Sequence, residues 1–163
     1  DYFDLGLSDQ RADFIVFSGP IDRFFNYKHG LLGWRTLDFQ WEVHDSIDFQ
    51  GSLVINEADK SVPYTRTHEY RHLHPERNYQ SNKTIIAREF SRLASETDEP
   101  YYPINSATDR MVLAKYRDEA SRLSTTLFGG RLGRYQYLDM HMALGAALKD
   151  ARNIAEHLNL SLF

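Results

Sequence analysis

The chain has 163 residues, 42% of them hydrophobic, and a formal net charge of −4, which suits one ordinary domain with a buried core rather than a disordered chain. The acidic balance argues against general nucleic-acid binding, and no apolar run reaches the ~20 residues of a membrane-spanning helix. Cysteine is absent, which removes disulfides, thiolate metal sites and cysteine nucleophiles and fits a reducing, cytoplasmic setting.

Residues 13–18 (DFIVFS) form a short apolar β-branched run that stops at Gly19-Pro20 and predict a buried strand. Residues 22–27 read as a short helical turn or loop. Residues 37–43 (LDFQWEV) alternate apolar and polar side chains, the mark of a strand with one buried face. Residues 52–56 (SLVIN) follow the turn at Gly51 as another strand; 64–74 alternate again, and 83–90 (KTIIAREF) add a further candidate. Short sequential strands separated by turns favour an antiparallel sheet. After Pro103 the period changes. Residues 106–123 have helical spacing with Ser106 or Thr108 as cap, 125–128 form a strand, and 138–158 form a long helix. The fold class is therefore α+β.

Four segments carry candidate chemistry. Pro63 holds Val62 extended and leads into Arg66, with His68, Tyr70 and His72 expected on the same strand face. A strand-borne guanidinium suits a phosphate; a surface arginine paired with a carboxylate is the plainer alternative. His72 and His74 have the spacing of a strand metal pair, yet no third ligand stands at a characteristic distance, so no metal is expected. In residues 99–105 (EPYYPIN) two prolines bracket two tyrosines, a stiff presentation of rings or a connector whose tyrosines pack. Residues 128–140 (FGGRLGRYQYLDM) combine glycines, Arg131, Arg134 and two tyrosines before a helix. That recipe can cradle an anion, or can be a tight strand-to-helix turn.

Taken together with FSGPID at 17–22 and REF at 88–90, the blocks VPYTR, EPYYPIN and FGGRLGRYQYLDM occur in one order along nearly the whole chain. In this they resemble UDP-galactopyranose mutase, the flavoenzyme family that interconverts UDP-galactopyranose and UDP-galactofuranose for galactofuranose-containing cell-surface glycans. The resemblance implies a catalytic set of Arg66, Tyr102, Tyr137 and Asp139. Arg66, Tyr102 and Tyr137 would contact the substrate diphosphate, and Asn56 and Glu89 would lie near the galactose. Gly130, Arg131, Gly133, Asp139 and Met140 would contact the cofactor, FAD, needed in its reduced form. It also implies isomerisation through a flavin N5–sugar adduct with no net redox change. The chemistry belongs to the cofactor, while the protein orients and neutralises charge.

The family's Rossmann unit with GxGxxG and its helical substrate domain, which supplies a lid and a second arginine, have no counterpart in these residues. A chain opening on Asp1, without a signal-peptide pattern, reads as a C-terminal portion of a longer enzyme. The expected division is a segment of the FAD-binding domain at 1–20, an antiparallel sheet domain at 21–105, and a return to the FAD-binding domain at 106–163. Such a fragment is expected to be inactive alone and not to hold FAD tightly. The partners implied are UDP-galactose and, for the full-length enzyme, a second copy in a homodimer. Asn26 stands where the family often has aspartate. Two other readings stay open: an FAD-dependent oxidoreductase of a related fold, distinguished by stoichiometric substrate oxidation, and a non-catalytic sugar-nucleotide-binding module, distinguished by UDP binding without flavin.

Overall fold

The computed structural model describes residues 2–4 and 12–161, so the opening of the 1–20 segment lies largely outside the described residues. In chain order the elements are β1 (Ile15–Phe17), α1 (Ile21–Phe24), β2 (Trp34–His44), β3 (Val54–Asn56), β4 (Arg66–Glu69), β5 (Thr84–Leu93), β6 (Tyr102–Pro103), α2 (Ala107–Ala120), β7 (Thr126–Phe128), α3 (Gly130–Arg134) and α4 (Met140–His157). Short 3-10 turns occupy Tyr2–Asp4, Tyr70–Leu73 and Pro75–Arg77. The α+β class predicted from the sequence is what the chain forms. Two compact units divide it: Trp34–Tyr102, and Asp1–Gly33 with Pro103–Phe163. Residues 21–33, expected with the sheet, thus belong to the helical unit.

The sheet has the order β3-β4-β5-β2-β6. The alternating run at 37–43 is the middle of β2, which pairs antiparallel with β5 from Arg35↔Leu93 to His44↔Thr84. Alternation works as expected on one face, where Trp34, Thr36, Thr67, Thr84 and Ile86 are buried. The other face keeps Trp41, Val43 and Ile85 exposed. Tyr70 stacks on Trp41 at 5.5 Å and on His68 at 5.7 Å.

Residues 64–74 do not continue as one strand. β4 ends at Glu69, and Tyr70 and His72, expected on the strand face of Arg66, enter a 3-10 turn instead. The stretch after Glu69 has no run of apolar residues on one face to bury, and Pro75 lacks an N–H for a ladder. Glu69 is fully buried, and its carboxylate accepts from the backbone N–H of Phe49 (3.0 Å) and Gln50 (2.9 Å), which folds residues 48–51 onto it.

In the helical unit β1 and β7 pair in parallel, Ile15↔Thr126 to Phe17↔Phe128. The strand predicted as buried is only partly so: Phe17 is covered but Val16 is exposed. Phe17, Phe24, Phe25, Phe128 and Tyr116 form an aromatic core, with Phe24 4.8 Å from Phe128 and 5.0 Å from Phe17. α2 starts at a reciprocal cap. Ser106 Oγ accepts from Asp109 N (3.1 Å), and Asp109 Oδ2 accepts from Ser106 N (2.7 Å). Asp109 Oδ1 also accepts from Gly33 N at 2.9 Å. Buried Tyr135 donates its hydroxyl to Gly33 O (2.5 Å) and accepts from Asn105 N (3.1 Å). Asn26 has φ 52°, a left-handed conformation that asparagine and aspartate tolerate best among residues with a side chain. That accounts for either residue at this position.

Candidate functional site

The sheet unit brings three of the predicted residues into one row. Asn56 stands opposite Arg66, and Arg66 opposite Glu89, at a single register across β3, β4 and β5. Side chains directly opposite in a sheet share a face with Cβ atoms about 5 Å apart, so the three polar groups meet without any loop. Arg66 Nε donates to Asn56 Oδ1 at 2.9 Å, and Nη1 lies 3.7 Å from Glu89 Oε2. The Arg66 side chain is 42% exposed and that of Glu89 only 7%. Arg66 Nη2 has no partner among the described residues.

Glu89 is held from a second direction. The Thr65 hydroxyl donates to Oε1 at 2.7 Å, and Thr65 N donates to the Glu89 carbonyl at 2.7 Å. His68 Nε2 lies 3.4 Å from Oε2. Burial of a carboxylate is costly unless it is paired and hydrogen-bonded; Thr65, His68 and Arg66 meet that requirement. Phe39 completes the row on β2, opposite Glu89. Thr65 was missed by the sequence reading, and His68 was placed on the face without a partner. No spacing along the chain links position 65 or 68 to position 89, because strand pairing alone creates the contact. Tyr102 sits on β6, partly buried, with its ring 6.5 Å from that of Tyr101.

The histidine pair His72 and His74 does not converge. His72 Nε2 lies 3.3 Å from both Asp48 Oδ1 and Glu69 Oε2, while His74 pairs with Glu76 at 2.9 Å. The Asp48, Glu69 and His72 atoms fall within 4.8 Å of one another. Glu69 already accepts from two backbone N–H groups, so the arrangement is a hydrogen-bonded cluster that pins residues 48–50.

In the helical unit the glycine segment is not an open loop. β7 ends at Phe128, and α3 begins at Gly130 with φ 69°. A Cβ on Gly133 would lie 2.8 Å from the Phe17 carbonyl oxygen, so this glycine lets α3 approach the backbone of β1. Arg134 anchors α3 to α4 through Asp150 Oδ1 (2.6 Å) and Oδ2 (2.5 Å). Arg131 lies over the Tyr137 ring, 4.5 Å from its centroid, a cation–π contact. Tyr137 is half exposed. Asp139 is the N-cap residue of α4 but makes no side-chain cap bond, and Met140 beyond it is exposed.

The fold is thus an α+β chain whose sheet sets a guanidinium between an amide oxygen and a buried carboxylate. The family model for UDP-galactopyranose mutase matches residues 1–137, and the chain belongs to that family. It is 39% identical over 147 residues to a probable UDP-galactopyranose mutase of Klebsiella pneumoniae, covering 89% of this chain and 38% of that protein. It is 34% identical over 146 residues to the dTDP-fucopyranose mutase of Escherichia coli, again covering 90% of this chain and 38% of the relative. The UDP-galactopyranose mutase of Mycoplasma genitalium is 34% identical over 145 residues, 86% of this chain and 35% of its own length. The chain therefore spans little more than a third of the curated relatives it matches. Among the described residues no helix is long and apolar enough to cross a membrane.

Proposed function

We propose that the chain is the sheet domain and C-terminal return of a flavin-dependent mutase that interconverts UDP-galactopyranose and UDP-galactofuranose in the cytoplasm. The observation that carries this reading is the Asn56–Arg66–Glu89 row. Asn56 holds Arg66 Nε, which orients the guanidinium while the side chain stays 42% exposed. A guanidinium so oriented can meet two oxygens of a diphosphate as that group gathers charge on leaving the sugar. Glu89, held by Thr65, His68 and Arg66, would lie near the galactose as the family resemblance implies. Tyr102, on the same sheet, adds a phenolic donor for the diphosphate. The matched residues include no nucleophile and no acid–base pair, which suits a reaction whose bond-making group is a cofactor.

The helical unit fits part of a flavin site. Gly130 has a left-handed backbone and, among the described residues, only the Ser18 Cβ near its open side, at 3.8 Å. The Arg131 guanidinium, the uncommitted Asp139 carboxylate and the exposed Met140 complete the residues that would hold the cofactor. The space above Gly133 is filled by the chain's own Phe17 carbonyl, so this glycine serves packing first. Reduced flavin, held by these residues, would supply the nucleophilic electron pair that displaces UDP from the anomeric carbon, with no net oxidation. The parallel pair β1–β7 and the exposed apolar stripe of Met140, Leu144 and Leu148 on α4 support further flavin-domain elements covering them in the full-length protein, since parallel strands are normally buried on both faces.

The test is the full-length protein, reduced with dithionite and given UDP-galactofuranose. UDP-galactopyranose formed only under reduction is expected; its absence counts against the reading, and stoichiometric oxidation of substrate favours an oxidoreductase. The relative named dTDP-fucopyranose mutase makes dTDP-fucofuranose the second substrate to supply, and a higher kcat/KM for it would move the assignment to that sugar nucleotide.

A further inference from the structure

We propose that His68 is a positioning residue for Arg66, acting through the carboxylate they share, so that its protonation sets how much positive charge the sheet offers a diphosphate. This rests on the reading that Arg66 meets that group.

Glu89 has two oxygens and three claimants. Oε1 is taken by the Thr65 hydroxyl at 2.7 Å. Oε2 is left to His68 Nε2 at 3.4 Å and Arg66 Nη1 at 3.7 Å, neither of which closes to a short contact. His68 is 15% exposed in its side chain and is clamped flat against Tyr70, 5.7 Å away with the rings 8° from parallel. Around it on the same face stand Phe39, Trp41, Val54 and Ala87, all apolar. The ionisable neighbours facing it are therefore Glu89 and Arg66, with Tyr70 as the stacking partner.

With neutral His68, Glu89 and Arg66 sum to zero charge. With the imidazolium, the cluster carries +1, and Oε2 has a closer cation than Arg66. The guanidinium is then released from its carboxylate toward an incoming anion. The bond network needs no other change, because Asn56 holds Arg66 Nε in either state.

The experiment is calorimetric binding of pyrophosphate to the full-length protein from pH 5.5 to 8, in wild type, His68→Gln and Glu89→Gln. Wild type should lose about tenfold more affinity than His68→Gln across this range, the effect of one unit charge at short distance in a partly buried site. Comparing variants cancels the titration of pyrophosphate itself. Parallel pH profiles for wild type and His68→Gln overturn the proposal. In Glu89→Gln the pH dependence should flatten toward that of His68→Gln; a profile like wild type also overturns it. If either variant fails to fold, the His68 imidazole is titrated by NMR in wild type with and without pyrophosphate. A midpoint raised by the ligand supports the coupling, and an unmoved midpoint sinks it. Loss of mutase turnover with pyrophosphate coupling intact would fall on the proposed function alone, whereas no pyrophosphate binding at any pH would overturn both.

Discussion

Arg66 and Glu89 stand directly opposite each other on neighbouring antiparallel strands, yet their charged atoms stay 3.7 Å apart. The carboxylate is committed to the sheet by Thr65, and the guanidinium is committed to Asn56 and to solvent. An arginine held in orientation and only loosely paired keeps donors for an oxyanion, as the proposed diphosphate contact would need.

Arg66→Lys tests whether geometry matters beyond charge. Lysine keeps the cation but has no Nε–H placed to bond Asn56 and no planar fork. Turnover of the reduced full-length enzyme should fall about 10²-fold, with Arg66→Ala lower still. Steady-state kcat and KM on both variants provide the check; lysine performing like arginine would make orientation irrelevant.

Tyr135 joins two chain segments of the helical unit through a single hydroxyl, donating to Gly33 O and accepting from Asn105 N. Burial pushes its phenol up to about 12, so it remains a neutral donor at working pH. Tyr135→Phe leaves a buried carbonyl and amide without this partner and should cost about 1–3 kcal/mol. Urea denaturation measures the loss, and a variant as stable as wild type would show that water replaces the hydroxyl.

Gly133→Ala should destabilise the same unit, because the added Cβ would sit 2.8 Å from the Phe17 carbonyl oxygen. Backbone on both sides leaves nothing flexible to yield, and overpacking of this kind costs roughly 1–3 kcal/mol. A lowered Tm is expected, while Gly145→Ala on α4, where nothing among the described residues lies within 4 Å of the added carbon, should be neutral or stabilising. Equal effects at both positions would refute the packing argument.

Acid should loosen the sheet unit through Glu69. Burial opposes its charge, but the Thr84 side chain, the N–H groups of Gln50 and Phe49, and His72 outweigh burial and hold the carboxyl below its usual 4.5. A carboxyl whose folded value is depressed gives stability above the unfolded value and loses it as pH falls through the folded one. Unfolding free energy should therefore decline as pH drops below about 4.5, and Glu69→Gln should be less stable at pH 7 with a shallower acid slope. An unchanged slope in that variant would place the acid sensitivity elsewhere.

The strands were readable where one face had to be buried. Residues 37–43 alternate because β2 has a covered face; of the two caps the sequence offered, Ser106 and Thr108, Ser106 is the one used, through a reciprocal bond with Asp109 that the structure revealed. The run at 64–74 alternated too, but without apolar side chains to bury past Glu69 the strand stopped. The glycine segment read as a loop, because glycines signal flexibility in a sequence; α3 formed since Gly133 allows contact with β1 and Arg134 is tied to Asp150. In the site, Arg66 stood out on its strand while Asn56 and Glu89 were named by resemblance, with no relation among the three.

Residue order alone settled the α+β class, the absence of thiol chemistry and the family, because composition, periodicity and motif spacing are properties of the chain itself. Register was decided only on folding. Positions 56, 66 and 89 become neighbours through hydrogen-bond ladders between strands, and a slip of one residue would send Arg66 to the opposite face. The same pairing brings Thr65 and His68 to Glu89, so the carboxylate's partners are a consequence of tertiary structure. A one-dimensional reading could name the charges, but only the sheet determines which of them share an oxygen.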